Sequence, residues 1–296
     1  MERVKRYIKE KKFDRAKDEV RRIADEKQRN EALNEIMKSL REEIRRNIII
    51  DPWYAAGLTT QFPQEERNLL LVEIVEECIK RNYFDVAERI VNKFFEEKGK
   101  KPTIDRIRVK EVEESLKGGD LHHAKGVAAK IFDQELKTKE QTKVAKKYIE
   151  IGLANYALPI AIELSKKENG EEALKEIVEE LLKRKYPSSF SYAHEILKLV
   201  QDKKKRNYIL KEIAKGFLLL EYFGYVDEIL KEFIPDEKER DEELKEIVEE
   251  LSKEGNPPNY FECARKALNF ISNENVKNQL EKEIEKHKEF PEKPRE

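Results

Sequence analysis

Long apolar runs are missing from this chain of 296 residues. The most apolar stretch, GFLLLEYFGY from Gly216, is far shorter than the roughly 20 residues that span a bilayer. The opening segment, MERVKRYIKEKKFD, lacks the apolar centre of a signal peptide. No membrane partner is therefore expected, and a cytoplasmic location is. Only two cysteines occur, Cys78 and Cys263, and their separation matches no metal or redox spacing, so both are expected to be small buried residues in a reducing compartment. Charge of one sign is also missing, because 61 Lys and Arg nearly cancel 62 Asp and Glu. Without a global field to attract phosphate, the composition argues against a nucleic-acid partner. Alternating strand patterns are absent too, and almost no sheet is expected.

What is present is a great deal of charge of both signs, 42% of all residues, with 39% hydrophobic residues at regular spacing. The regular spacing argues for a folded chain, and the abundance of Lys and Glu resembles hyperthermophile composition. A small–apolar–apolar triplet recurs at offsets of 0, 4 and 7, one face of a helix. It begins with Ala16, Val20, Ile23, then Ala55, Thr59, Phe62, then Ala87, Val91, Phe94, then Ala124, Ala128, Ile131. It continues with Ala157, Ala161, Leu164, then Ala193, Leu197, Val200, then Val226, Leu230, Phe233, then Ala264, Leu268, Ile271. The first residues of these eight triplets, the anchors, are 39, 32, 37, 33, 36, 33 and 38 residues apart. Their mean of about 35 lies in the range of helical solenoids.

A second series marks another helix in the repeat. An acid or amide is followed four residues on by a base and seven beyond that by a branched apolar residue: Asp25, Arg29, Ile36; Asp133, Lys137, Val144; Asp202, Arg206, Ile213; Asp236, Arg240, Ile247; Asn273, Lys277, Ile284. Asp or Asn accepts from the free amides of a helix start, and an acid four residues before a base is a well-oriented ion pair. Each repeat is thus expected to be a helical hairpin. The small anchor admits a close neighbour, and hairpins stack because none buries both faces alone.

Three residues before the anchor stands an aromatic at Phe13, Phe84, Phe190, Phe223 and Phe261, with Leu121 in the same place. Aromatic-x-x-Ala followed by apolar residues at +4 and +7 resembles the second helix of tetratricopeptide repeats, most closely in NYFDVAERIVNKF from Asn82. The family's Trp-x-x-Leu-Gly-x-x-Tyr first helix is not found, and Asp-x-x-x-Arg replaces its usual proline in several repeats. The resemblance therefore implies a tetratricopeptide-like fold in the broader sense: an all-α, right-handed superhelical α-solenoid of about eight stacked hairpins. It is expected to run as one continuous domain over 1–288, with a disordered tail at 289–296. EKGKKPTI at 97–104, KYPSS at 185–189 and EGNPPN at 254–259 are expected to be loops.

Catalytic patterns are missing. There is no Gly-rich phosphate loop, His-Glu-x-x-His or Gly-x-Ser-x-Gly, and the glycines of KGGD at 117–120 fit a turn. His122 and His123 are adjacent and diverge by about 100° on a helix, too far to share one ion easily. His194 likewise reads as a surface residue. The basic run QDKKKRNY at 201–208 fits a solvated turn better than a phosphate patch. No catalytic residue, cofactor or metal is expected. The expectation is a non-enzymatic scaffold for another protein or peptide, with an RNA-binding helical repeat as the alternative. Trp53 and Tyr54 are the candidate partner-binding residues. They lie beside a helix start set by Asp51 as cap and Pro52 as first residue, and Trp53 could equally fill a gap between repeats.

Overall fold

The computed structural model describes residues 1–168, 170–184, 187–253 and 256–288. The expected tail at 289–296 lies outside them. The described residues contain helices and no strand. By compactness the chain forms two units, Met1–Lys137 and Thr138–Glu296.

The first unit begins with four hairpins. They are α1 (Glu2–Lys9) with α2 (Phe13–Val20), α3 (Glu26–Ile50) with α4 (Pro52–Leu58), α5 (Gln64–Lys80) with α6 (Phe84–Phe94), and α7 (Glu97–Gly118) with α8 (Leu121–Ala128). Then come α9 (Gln134–Glu150) with α10 (Ala154–Leu164), α11 (Gly170–Lys183) with α12 (Pro187–Leu197), α13 (Lys203–Leu219) with α14 (Phe223–Phe233), and α15 (Glu237–Leu251) with α16 (Pro258–Ala267). α17 (Glu274–Lys288) follows as an unpaired first helix among the described residues. First helices pack on first helices of the next hairpin, as α3 does on α5 and α11 on α13. Second helices do the same, as in α4 on α6 and α10 on α12. Stacking of this kind within each unit is α-solenoid architecture.

Every anchor lies in a second helix and is buried, from Ala16 to Ala264. So is every residue at +4. The residue at +7 departs from the simple helical face. In α6, α10 and α14 it is the last helical residue, whereas in α2, α4, α8, α12 and α16 the helix ends before it. There the chain tightens: Ile23, Phe62, Ile131, Val200 and Ile271 each donate their backbone N–H to the carbonyl of the +4 residue. This three-residue closure swings the +7 side chain back onto the core after the α-helix has stopped.

The capping series behaves as expected at its acids. Asp25, Asp133, Asp202 and Asp236 each accept from the backbone N–H three residues on, at 2.7–2.9 Å. Two of its bases do something else. The Arg29 guanidinium donates to the Ala24 carbonyl and Arg240 to those of Ile234 and Pro235, so they hold the segment before the cap rather than the capping acid. Segment 97–104 is also corrected from loop to helix, since it forms the first turns of α7 with Pro102 inside. Glu96 precedes it in extended conformation, and the Thr103 hydroxyl donates to the Gly99 carbonyl. In the other two expected loops, Pro187 and Pro258 already stand as first helical residues, where a missing N–H costs nothing.

The hairpins alternate between two kinds. The first, third, fifth and seventh turn through a left-handed residue: Lys11, Asn82, Gly152 and Glu221, with φ of 58°, 60°, 82° and 63°. In each, the following N–H reaches back to a carbonyl of the last helical turn (Tyr7, Cys78, Tyr148 and Phe217), closing a Schellman motif. The even hairpins begin their second helices at Pro52, Pro187 and Pro258 or after the capping Asp120, which accepts from His123 N–H. The fourth hairpin combines its cap with a left-handed Gly119.

Even hairpins from the fourth onward carry a further device. Asp105 of α7 accepts the N–H groups of Phe132 and Asp133, and Asp241 of α15 accepts those of Ser272 and Asn273. Glu171 of α11 accepts those of Gln201 and Asp202 with one oxygen. Each carboxylate clamps the link between an even second helix and the next first helix. The short anchor spacings (32, 33 and 33) run from even to odd, the long ones from odd to even. The true period is a pair of hairpins, about 70 residues.

Candidate interaction surface

Asp51 accepts from Tyr54 N–H at 2.9 Å and Pro52 opens α4, so the local sequence fixes how Trp53 and Tyr54 are presented. Trp53 is half-buried, with its ring 5.6 Å from that of Phe94 in an edge-on arrangement. Two cations cover it: the Arg89 guanidinium carbon lies 4.9 Å and the Lys93 ammonium 4.8 Å from the ring centre. Trp53 therefore bridges α4 and α6. Tyr54 points outward at 41% exposed, and nearby in the chain Ile50 is 79% exposed. The two candidate residues divide between packing and surface.

Tyr54 is the residue immediately before its anchor. At the same register stand Tyr156, Tyr192 and Tyr225, in three successive hairpins of the second unit. Tyr156 and Tyr225 are exposed and Tyr192 is half-buried. The exposed rings are propped from beneath, Tyr156 stacked on Tyr148 at 5.4 Å and Tyr225 on Phe217 at 5.5 Å. Tyr192 lines a cleft of about 450 Å³ with Ile149, Gly152, Asn155, Arg184 and Ser188. A residue next to the buried anchor sits at the margin of the packed face, and at Tyr156 and Tyr225 a ring from the first helix of the same hairpin supports it. Reading the sequence from Ala55, Ala157, Ala193 and Val226 one position backward would have found this register. Attention to Trp53 and Tyr54 alone missed it.

The charges are largely spent within the stack. Arg41 meets Glu66 at 2.5 Å, Arg106 meets Glu76, and Lys146 meets Glu176 at 2.9 Å, each pair joining successive first helices. Two lysines of the basic run are paired likewise, Lys203 with Glu239 at 2.8 Å and Lys205 with Glu171 at 3.5 Å. Such partly exposed pairs add little stability each.

Groups with chemical potential are tied into the structure. His123 Nε2 lies 2.8 Å from Glu111, and His194 Nε2 lies 2.8 Å from Glu232. These acids are 12 and 38 residues away in sequence, which hid the pairs from local spacing. Cys78 is fully buried, and burial pushes its thiol up to about 11, away from the reactive thiolate. Cys263 donates from Sγ to the Leu218 carbonyl, and burial raises its thiol as well. Among the described residues, no cluster of three or more His, Cys, Asp and Glu is arranged to hold a metal ion. None of the described helices is long and apolar enough to cross a membrane.

No family model matches the chain, and none of the curated proteins matches it. Among solved structures it is similar to a circular tandem repeat protein described as having novel repeat topology and enhanced subunit contact surfaces. That likeness has 15% identity and a TM-score of 0.20, and covers 88% of this chain but 65% of the other. The solenoid assignment rests on the helices themselves.

Proposed function

We propose that the chain is a non-enzymatic scaffold that binds another protein or peptide, with exposed tyrosines as contact residues on each unit, Tyr54 on the first and Tyr156 and Tyr225 on the second. One observation carries this reading: the same register, one residue before the anchor, holds an outward tyrosine at Tyr54, Tyr156 and Tyr225 and a half-buried one at Tyr192. Tyrosine offers a large apolar face and a hydroxyl at low cost in side-chain entropy, which is why it is enriched at binding hot spots. In the first unit Trp53 joins Tyr54 as its half-buried neighbour. A cytoplasmic location accords with two free, buried cysteines, and the crowded Lys–Glu pairs accord with a thermophilic source.

The test is capture on the immobilised full chain, with and without nuclease, using wild type and a Tyr54→Ala, Tyr156→Ala, Tyr225→Ala variant. A protein retained after nuclease treatment and lost from the variant is expected. Retention of RNA, stacked on the same rings, would replace this reading with the RNA-binding one. Trp53 reports separately: partial acrylamide protection in the free protein is expected from its burial against Phe94, with a further emission change when the partner is added.

A further inference from the structure

The second unit contains a cleft of about 380 Å³ between α11, α13 and the α15–α16 hairpin. Its floor is apolar, built from Leu182, Phe190, Leu219 and Leu251. Gly216 makes this floor possible. A Cβ there would lie 2.1 Å from Phe190 Cε1, so only glycine lets the Phe190 ring lie directly against α13. Tyr260 and Asn259 border the opening. Such a volume with apolar walls and a few polar groups has the character of a binding cleft.

The rim gives the ligand its charge. Lys215, with only 12% of its side chain exposed, is held by Glu212 and by Glu250, the latter at 2.9 Å. One turn earlier Lys211 lies 3.3 Å from Glu243 and 2.5 Å from Glu246. At the cleft itself one ammonium, Lys215, serves two carboxylates, Glu212 and Glu250, which leaves one negative charge in surplus, while Lys211, Glu243 and Glu246 continue the edge outside the lining. Burial alone would lower the affinity of both lysines for the proton, yet the hydrogen bonds they donate to these glutamates raise it. A phosphate chain would meet repulsion here, whereas a cation beside an apolar group would meet both attraction and a place to bury that group.

We propose that this cleft takes a leucine or phenylalanine side chain of a partner polypeptide whose neighbouring residue is lysine or arginine. The proposal rests on the protein-scaffold reading and names the partner's chemistry at one site. It is tested on the full chain by fluorescence anisotropy with two labelled peptides, Gly-Leu-Phe-Lys-Arg-Gly and Gly-Leu-Phe-Glu-Glu-Gly. The basic peptide should bind about tenfold tighter or more, and its binding should weaken with salt. A Glu212→Gln, Glu250→Lys variant should lose about tenfold in affinity for it. Leu219→Ser should weaken it through the floor, and Glu65→Lys, a charge reversal at an exposed site on α5, should change nothing. Equal binding of the two peptides, or undiminished binding by the rim variant, overturns the proposal. Tyrosine-dependent capture would survive that outcome, so failure of the cleft is distinguishable from failure of the scaffold reading.

Discussion

The odd and even hairpins solve the same packing problem with different chemistry. Odd hairpins turn through a left-handed residue and start their second helices without a side-chain cap, at Lys12, Tyr83, Leu153 and Tyr222. Even hairpins start them with a proline or a capping acid and stop them with a tight three-residue closure, which the first hairpin shares. The odd turn stores a small backbone penalty wherever it lacks glycine. From the fourth hairpin onward, the even link fixes its exposed amides with a carboxylate from the neighbouring helix. Conformation is controlled locally in one kind and across helices in the other, so substitutions in the two should differ in size and even in sign.

The largest effect is expected at the carboxylate clamps. Asp241→Ala leaves the Ser272 and Asn273 amides without their acceptor and should cost about 3 kcal/mol by urea denaturation. A loss below about 1 kcal/mol would mean that water replaces the clamp easily and that the even link is not specially held. Next comes the anchor itself. Ala193→Phe overfills a fully buried position and should destabilise by about 2 kcal/mol, and a neutral result would mean that the close approach at this register is not required.

A gain is expected at an odd turn. Glu221→Gly relieves a left-handed non-glycine residue and should stabilise by about 1 kcal/mol, while Gly152→Ala should cost about as much. If both were neutral in thermal melts, the odd turns would carry no stored penalty and the contrast between the two kinds would be one of shape only.

The smallest effect concerns acid. Glu43 of α3 is buried, which would raise its carboxyl, but hydrogen bonds from Lys11 at 2.6 Å and Asn47 at 2.8 Å outweigh this and lower it. A lowered folded-state value means that its stabilisation is complete above the unfolded carboxylate range, about pH 4.3, and is lost as pH falls through the folded value. Glu43→Gln should therefore flatten the acid limb of the stability profile while leaving its slope near pH 7 unchanged. An unchanged acid limb would show that the tie between the first two hairpins, Lys11 to Glu43, is not what acid breaks.

How far the sequence could be read follows the range of each interaction. The eight anchors, the capping acids at 25, 133, 202 and 236, and the Asp51–Pro52 start were legible because each depends on residues within one or two helical turns. Segment 97–104 was misread because glycine and proline signal loops on average, while here they occupy the opening turns of a helix that tolerates them. The alternation was present in the spacings of 39, 32, 37, 33, 36, 33 and 38, but averaging to about 35 erased it. At the candidate surface, Tyr54 was named and its equivalents were not, because their exposure depends on which side of each second helix the next hairpin covers.

By itself, then, the sequence determined the helices, their caps, their pairing into hairpins and the buried register, since periodicity and capping act within a few residues. Only the tertiary structure decided where Arg29 and Arg240 donate, that Asp105 and Asp241 clamp links 27 to 32 residues away, and that Trp53 packs while Tyr54 faces outward. It also decided that Gly216 makes room for Phe190 beneath an acidic rim. Those outcomes depend on which side chains meet across stacked helices, and a meeting between distant residues leaves no periodic trace along the chain.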